Sequence, residues 1–149
     1  RVRSYLMQGE IPKANALLGS QYIIHGEVHR GDQIGRKMGF PTANLLVNPW
    51  KQLPAHGVYA AEVEIGAKRY LAAVHIGPRP TLGTHEIRVE AHILDFEKDI
   101  YCQNLQLELT FRIRSIMSFD SPEELVSQIN DDIRLIRKNA ELKTKSVNN

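Results

Sequence analysis

Between positions 31 and 44 the chain reads Gly31-Asp32-Gln33-Ile34-Gly35-Arg36-Lys37-Met38-Gly39-Phe40-Pro41-Thr42-Ala43-Asn44. Gly31, Gly35 and Gly39 let backbone N–H groups turn toward an anion, Arg36 and Lys37 add charge-assisted donors, and Thr42 and Asn44 set two neutral oxygens just beyond. Such a set suits a phosphate chain and its magnesium. It is not a Walker A loop, because the glycine-lysine followed by serine or threonine is missing. The same residues also suit a glycine-rich hairpin connection with Asn44 in a local turn, and spacing alone does not separate the two readings.

A second centre of interest is Glu90. From Val89 to Phe96 the residues Val89, Ala91 and Ile93 face one way on an extended strand, while Glu90, His92 and Leu94 face the other. A carboxylate there is either solvated at an edge or kept for a purpose, and solvated glutamates are the commoner case. His92 reads as a packed or hydrogen-bonded neighbour of Glu90, since no second His, Cys or carboxylate stands at ligand spacing with it. His25, His29, His56, His75 and His85 are scattered. Trp50, beside Pro49, reads as a packed loop anchor, with a wall for a planar ring as the alternative. Cys102 sits in a turn with nothing to make it reactive.

The elements that must position these residues are mostly strands. Two short helices open the chain, near 3–8 and 12–18, each followed by glycine (Gly9, Gly19). From Tyr22 the pattern turns to period two, with candidate strands near 22–28, 42–47, 58–65, 69–76, 87–95 and 105–114. In the last, Leu105, Leu107, Leu109, Phe111 and Ile113 alternate with polar residues, which predicts one buried face and one wet face. Gly66-Ala67 suits a tight hairpin. No helical pattern separates the strands, so parallel crossovers are excluded and a closed six-stranded antiparallel barrel is predicted. Ser121-Pro122-Glu123-Glu124 is a capping box, after which Leu125, Ile129, Ile133 and Ile136 recur at helical spacing and can cover the barrel. The pattern fades beyond Lys138. The expected division is therefore residues 1–20 as linker helices, 21–140 as barrel plus C-terminal helix, and 141–149 as a frayed tail.

Composition sets outer limits. With 149 residues, 42% hydrophobic and 24% charged, the chain suits one globular domain. The net charge is +2, and the segment from Asp131 onward, with five basic residues against three acidic, carries all of it. A nearly neutral body lacks the field that non-specific nucleic-acid binding needs, so any phosphate should be recognised locally. One cysteine excludes an internal disulfide and a cysteine-rich zinc site, and fits the cytoplasm. No apolar run approaches the length of a membrane span. Beginning at Arg1, the sequence reads as a piece of a longer protein.

The run Gly35-Arg36 through Gly39-Phe40-Pro41-Thr42-Ala43-Asn44-Leu45 resembles the signature of the riboflavin kinases. The resemblance continues in Gly57-Val58-Tyr59-Ala60, in Ile76-Gly77-Pro78-Arg79-Pro80-Thr81-Leu82-Gly83, and in Val89-Glu90-Ala91-His92-Ile93-Leu94-Asp95-Phe96 with Asp99 and Tyr101. It extends to Arg114, Phe119, Asp120 and the helix from Pro122. Residues 1–18 resemble the linker to the adenylyltransferase half of bacterial bifunctional FAD synthetases. The resemblance implies a Greek-key type barrel that transfers the γ-phosphate of ATP to riboflavin, giving FMN. It implies ATP phosphates at Gly31, Gly35, Arg36, Lys37 and Gly39, Mg²⁺ at Thr42 and Asn44, a catalytic base at Glu90, and flavin contacts at Arg114 and Phe119. It implies an N-terminal FMN adenylyltransferase domain as partner, with neither nucleic acid nor membrane. Three positions depart from the family pattern: Cys102 for a glycine, His75 for an asparagine and Ile116 for a glutamate. The alternatives are a flavin- or nucleotide-binding barrel without catalysis and, by fold analogy, an oligonucleotide-binding barrel.

Overall fold

The structure is a computed structural model, described here for residues 1–29, 39–78 and 86–148, with side chains to 144. The chain runs α1 (Val2–Met7), α2 (Ile11–Leu18), β1 (Tyr22–His29), β2 (Ala43–Leu46), β3 (Gly57–Ile65), β4 (Lys68–Gly77), β5 (Arg88–Ile93), β6 (Asn104–Arg114) and α3 (Pro122–Asn148). The six strands close into a barrel in the order β1-β2-β5-β4-β3-β6, every pairing antiparallel. Expectation and observation agree to within one or two residues for most strands. The Gly66 hairpin is confirmed by a φ of 65° at that glycine, a left-handed backbone that costs glycine nothing.

Alternation produces the core. Ile24 and Val28 of β1, Leu45 of β2, Val63 of β3, Val74 and Ile76 of β4, Val89 and Ala91 of β5 and Leu105, Leu107 and Leu109 of β6 are all buried in one cluster inside the barrel. Each fully buried aliphatic side chain contributes about 1.5–3 kcal/mol relative to exposure. A second, smaller cluster lies outside the barrel: Ala60, Leu94 and Ile136 are buried, with Leu71, Phe111, Ile113 and Ile133 against them. That layer is where α3 covers β3, β4 and β6. The Ser121 cap forms as predicted, its Oγ accepting the Glu124 N–H at 3.2 Å, while Glu124 accepts the Asp120 N–H at 3.1 Å.

Three expectations need revision. First, β6 does not keep one face throughout. Its register on β3 shifts between Ala60 and Ala61 and again between Val58 and Tyr59. The first irregularity hands Phe111 to the outer layer opposite Ala60; Arg112 then falls opposite Tyr59, and Arg114 opposite Val58. Second, Trp50 is 93% exposed, so it is not a packed anchor. It belongs to a turn in which Asn48 Oδ1 accepts the Trp50 N–H and the Asn48 carbonyl accepts the Lys51 N–H, both at 2.9 Å. Third, α3 does not break where the apolar pattern fades; it runs on to Asn148.

The opening helices are part of the barrel's packing. Leu6, Ile11 and Ala14 are buried in the main cluster, and Asn15 joins α2 to the sheet by donating to the Leu109 carbonyl at 3.0 Å and accepting the Tyr22 N–H at 2.8 Å. At the other end Arg137 of α3 grips Asp95 through two hydrogen bonds of 2.9 and 3.1 Å, and those bonds hold the exposed Asp95 carboxyl below its ordinary pKa.

Candidate active site

Directly paired residues of antiparallel strands project from the same face of a sheet. Val28, Leu45, Val89 and Ile76 are successive partners and all point into the barrel. The next row along the strands therefore points out. It consists of His29 (β1), Asn44 (β2), Glu90 (β5), His75 (β4), Val58 (β3) and Arg114 (β6). Three residues singled out from the sequence, Asn44, Glu90 and Arg114, thus share one belt around the barrel. Asn44 and Glu90 are immediate neighbours, and Arg114 lies three strands beyond.

Glu90 is only 3% exposed, although it faces outward. The solvated-edge reading does not apply, because a closed barrel has no edge and this carboxylate is covered. Its closest described cation is Arg88, whose Nη1 stands 3.7 Å from Glu90 Oε1 and whose Nη2 stands 3.6 Å from Glu86 Oε2. Arg88 sits two residues before Glu90 on β5, so the period of the strand brings both to the same face. It went unnoticed in the sequence, where the only available signal was that i, i+2 spacing.

His92 does a different task from the one expected. Its Nδ1 lies 2.9 Å from the Pro41 carbonyl, which can only accept, so Nδ1 carries the hydrogen and donates it. The ring of Phe40 meets His92 edge-on, with centroids 5.6 Å apart and planes at 87°. The imidazole therefore fixes the backbone leading into Thr42 and Asn44, not Glu90 itself. Gly39, at φ 88°, precedes this segment, and a Cβ there would meet nothing within 4 Å; its need for glycine is conformational alone. Gly31, Gly35, Arg36 and Lys37 lie outside the described residues.

Thr42 and Asn44 open onto different spaces. Thr42 lines a small cavity of about 70 Å³ together with Pro41, Phe96, Asp99 and Tyr101. Asn44 lines a groove of about 530 Å³ with His29, Lys51, Arg88 and Ile87. Lys51 holds its ammonium 4.3 Å from the centroid of the Tyr22 ring, and partial burial lowers its pKa. The two oxygen-bearing side chains thus stand between a nook at the barrel end and a wider groove along its wall.

At the far end of the belt Arg114 is committed to α3. Its Nε donates to both carboxylate oxygens of Asp132, at 3.1 and 3.0 Å, and Nη2 lies 2.9 Å from Oδ2. Gln128 donates to Asp132 as well, at 3.0 Å. Phe119 is brought to the same place, its ring centroid 5.9 Å from the guanidinium carbon. Asp132 is 3% exposed and was missed in the sequence. Its signal was a carboxylate set inside the apolar stripe, three residues after Ile129 and four before Ile136. Among the described residues no group of three or more His, Cys, Asp or Glu could hold a metal, and no helix is long and apolar enough to cross a membrane.

The chain is thus a closed antiparallel barrel with a covered carboxylate between polar strand partners, flanked by a nook and a groove. The riboflavin kinase (flavokinase) family model matches residues 18–140, and the chain belongs to that family. It is 37% identical over 134 residues to the bifunctional riboflavin kinase/FMN adenylyltransferase of Bacillus subtilis, covering 88% of this chain and 42% of that protein. The chain thus spans less than half the length of this relative. Among solved structures, a protein of Streptococcus pneumoniae described as a macrolide-efflux protein superposes with a TM-score of 0.84 at 36% identity, covering 92% of this chain and 45% of that one. The riboflavin kinase of Trypanosoma brucei superposes with a TM-score of 0.57 at 26% identity, covering 80% and 79%.

Proposed function

We propose that this chain transfers the γ-phosphate of ATP to the 5′-hydroxyl of riboflavin, releasing FMN and ADP, as the kinase module of a longer cytoplasmic protein. The observation that carries this reading is the register that sets Glu90 beside Asn44 on a covered outer wall. In the reaction the ribityl oxygen attacks the γ-phosphorus, its proton passes to Glu90, and the bond from the γ-phosphorus to the β,γ-bridging oxygen breaks to leave ADP. Phosphoryl transfer asks for alignment and charge stabilisation more than for covalent chemistry, so a rigid wall with one acceptor of the proton is sufficient. Arg88 holds its guanidinium 3.7 Å from the Glu90 carboxylate and so orients it on the wall. Thr42 and Asn44 offer hard, neutral oxygens, which fits Mg²⁺, an ion that takes few protein ligands and fills the rest with phosphate and water. When bound, the ion neutralises phosphate charge and orients the chain of phosphates. The nucleotide's phosphates are assigned to Gly31, Gly35, Arg36, Lys37 and Gly39, with Thr42 and Asn44 beside them. Arg114 and Phe119 close the flavin end.

The primary test is product formation. The purified chain, given riboflavin, ATP and Mg²⁺, makes FMN; given FMN and ATP it makes no FAD, because adenylyl transfer belongs to a separate N-terminal domain of the bifunctional relatives. Absence of FMN sinks the assignment, and FAD formation sinks the division of labour. The metal positions are tested separately: Thr42→Val and Asn44→Leu each raise the Mg²⁺ concentration for half-maximal rate at least severalfold while far-UV circular dichroism stays that of the parent. An unchanged Mg²⁺ dependence in both variants makes the segment purely structural.

A further inference from the structure

We propose that His75 is a positioning residue for Glu90: its imidazole pins the backbone that leaves β4 and thereby fixes the ground against which the Glu90 carboxylate is held. His75 is the direct strand partner of Glu90, so the two side chains emerge from one face at adjacent positions. Its Nε2 lies 3.2 Å from the Gly77 carbonyl and 3.1 Å from the Pro78 carbonyl. Both of these oxygens can only accept, so Nε2 carries the hydrogen and shares it between them.

The backbone being held needs holding. Gly77 adopts φ 137°, a conformation closed to other residues without strain, and a Cβ there would come within 3.1 Å of the His56 ring and within 3.4 Å of Ile116. Gly77 is also the partner of Arg88, the residue whose guanidinium reaches Glu90. Thus the end of β4, Gly77 with Pro78, is tied down by His75, has no room for a side chain beside His56, and lies across the ladder from Arg88, which bears on the Glu90 carboxylate. Shifting Gly77 moves its ladder partner Arg88 and the wall beside Glu90 together. A misplacement of about 1 Å near a reacting group costs up to roughly 10²-fold in rate, so a pin of this kind acts on kcat.

The inference rests on Glu90 as the proton acceptor, and the experiment keeps the two apart. Three variants are compared with the parent: His75→Leu, which removes the donor; His75→Gln, whose amide nitrogen reaches about as far as Nε2; and Glu90→Gln. We expect His75→Leu to lower kcat about 10- to 100-fold with KM for MgATP within about twofold of the parent and a melting temperature little changed, and His75→Gln to recover most of the loss. In the double variant with Glu90→Gln, loss of His75 should add little, because both act through one group. Equal kcat in the Leu and Gln variants overturns the role of the Nε2 donor. A loss that follows melting temperature and both KM values together makes His75 merely structural. If instead Glu90→Gln turns over like the parent, it is the base assignment that fails, whatever His75 does.

Discussion

Glu90→Gln is expected to lose about 10²–10⁴-fold in kcat, the range of a positioned general base, while KM for riboflavin and for MgATP moves little. Glutamine keeps the size and one acceptor oxygen of the side chain, so ground-state packing persists; only the capacity to take the hydroxyl proton is gone. In energy this is roughly 3–5 kcal/mol of barrier. A structural role predicts a different pattern. Glu90 is covered and faces Arg88, so a carboxylate needed for folding would, on neutralisation, lower thermal stability and weaken both substrates at once. Arg88 retains Glu86 at 3.6 Å in the variant, which limits that loss. Single-turnover rate, ligand affinity and melting temperature measured on the same protein decide between the two. Turnover within about threefold of the parent, far below the general-base range, removes Glu90 from the mechanism.

The second large effect is on stability. Asp132→Ala removes the counter-ion from an Arg114 guanidinium that is itself mostly covered, with side-chain exposures of 16% for Arg114 and 4% for Asp132. Breaking one side of such a pair costs about 3–5 kcal/mol, because the surviving charge is left without compensation. For a chain of this size that corresponds to a fall of melting temperature on the order of 10 °C. Replacing both partners, as Arg114→Met with Asp132→Leu, should recover much of the loss, since the desolvation of both charges disappears with them. The pair also ties the last residue of β6 to α3, so Asp132→Ala should raise KM for riboflavin more than for MgATP if Arg114 and Phe119 face the flavin. An Asp132→Ala protein that melts within about 2 °C of the parent, well short of the buried-pair range, shows that α3 does not depend on this contact.

How far the sequence carries these conclusions differs between fold and site. Strands are legible because burying one face imposes a period of two, as in Leu105, Leu107 and Leu109. The same rule misleads at Phe111: an apolar residue satisfies either the barrel interior or the layer under α3, and only the register against β3 selects the second. Motif chemistry singled out Thr42, Asn44 and Glu90 as separate residues. Their adjacency was not legible, because it comes from the strand order that sets β2 next to β5, and no local pattern encodes which distant strand becomes a neighbour. Asp132 and Arg88 escaped notice for a related reason. Asp132 acts by meeting a charge brought from another element, Arg88 by meeting one two residues along its own strand, and in sequence each looks like an ordinary surface ion. Trp50 shows the converse error, a large aromatic taken for a buried one when the turn at Asn48 holds it out in solvent. Cys102, which departs from a family glycine, adopts φ 66° in the structure, so that position asks for a glycine-like backbone and the cysteine meets it under strain.

The strand order also governs how the molecule comes into being. β1 pairs with β6 through partners as distant as Tyr22 and Leu109, and Asn44 meets Glu90 across a span that includes all of β3 and β4. Such non-local pairing requires the chain entropy of long loops to be lost before the contacts that reward it exist, which places folding in the slow regime of all-β domains, roughly milliseconds to seconds. The hairpin of β3 and β4 can form early, whereas the belt carrying Asn44 and Glu90 is completed only as distant segments dock. A nascent chain that has not yet produced β6 presents β1 and β3 as open hydrogen-bonding edges, which invite pairing with other chains. Protection from such pairing therefore arrives only with β6, which closes the barrel between β3 and β1.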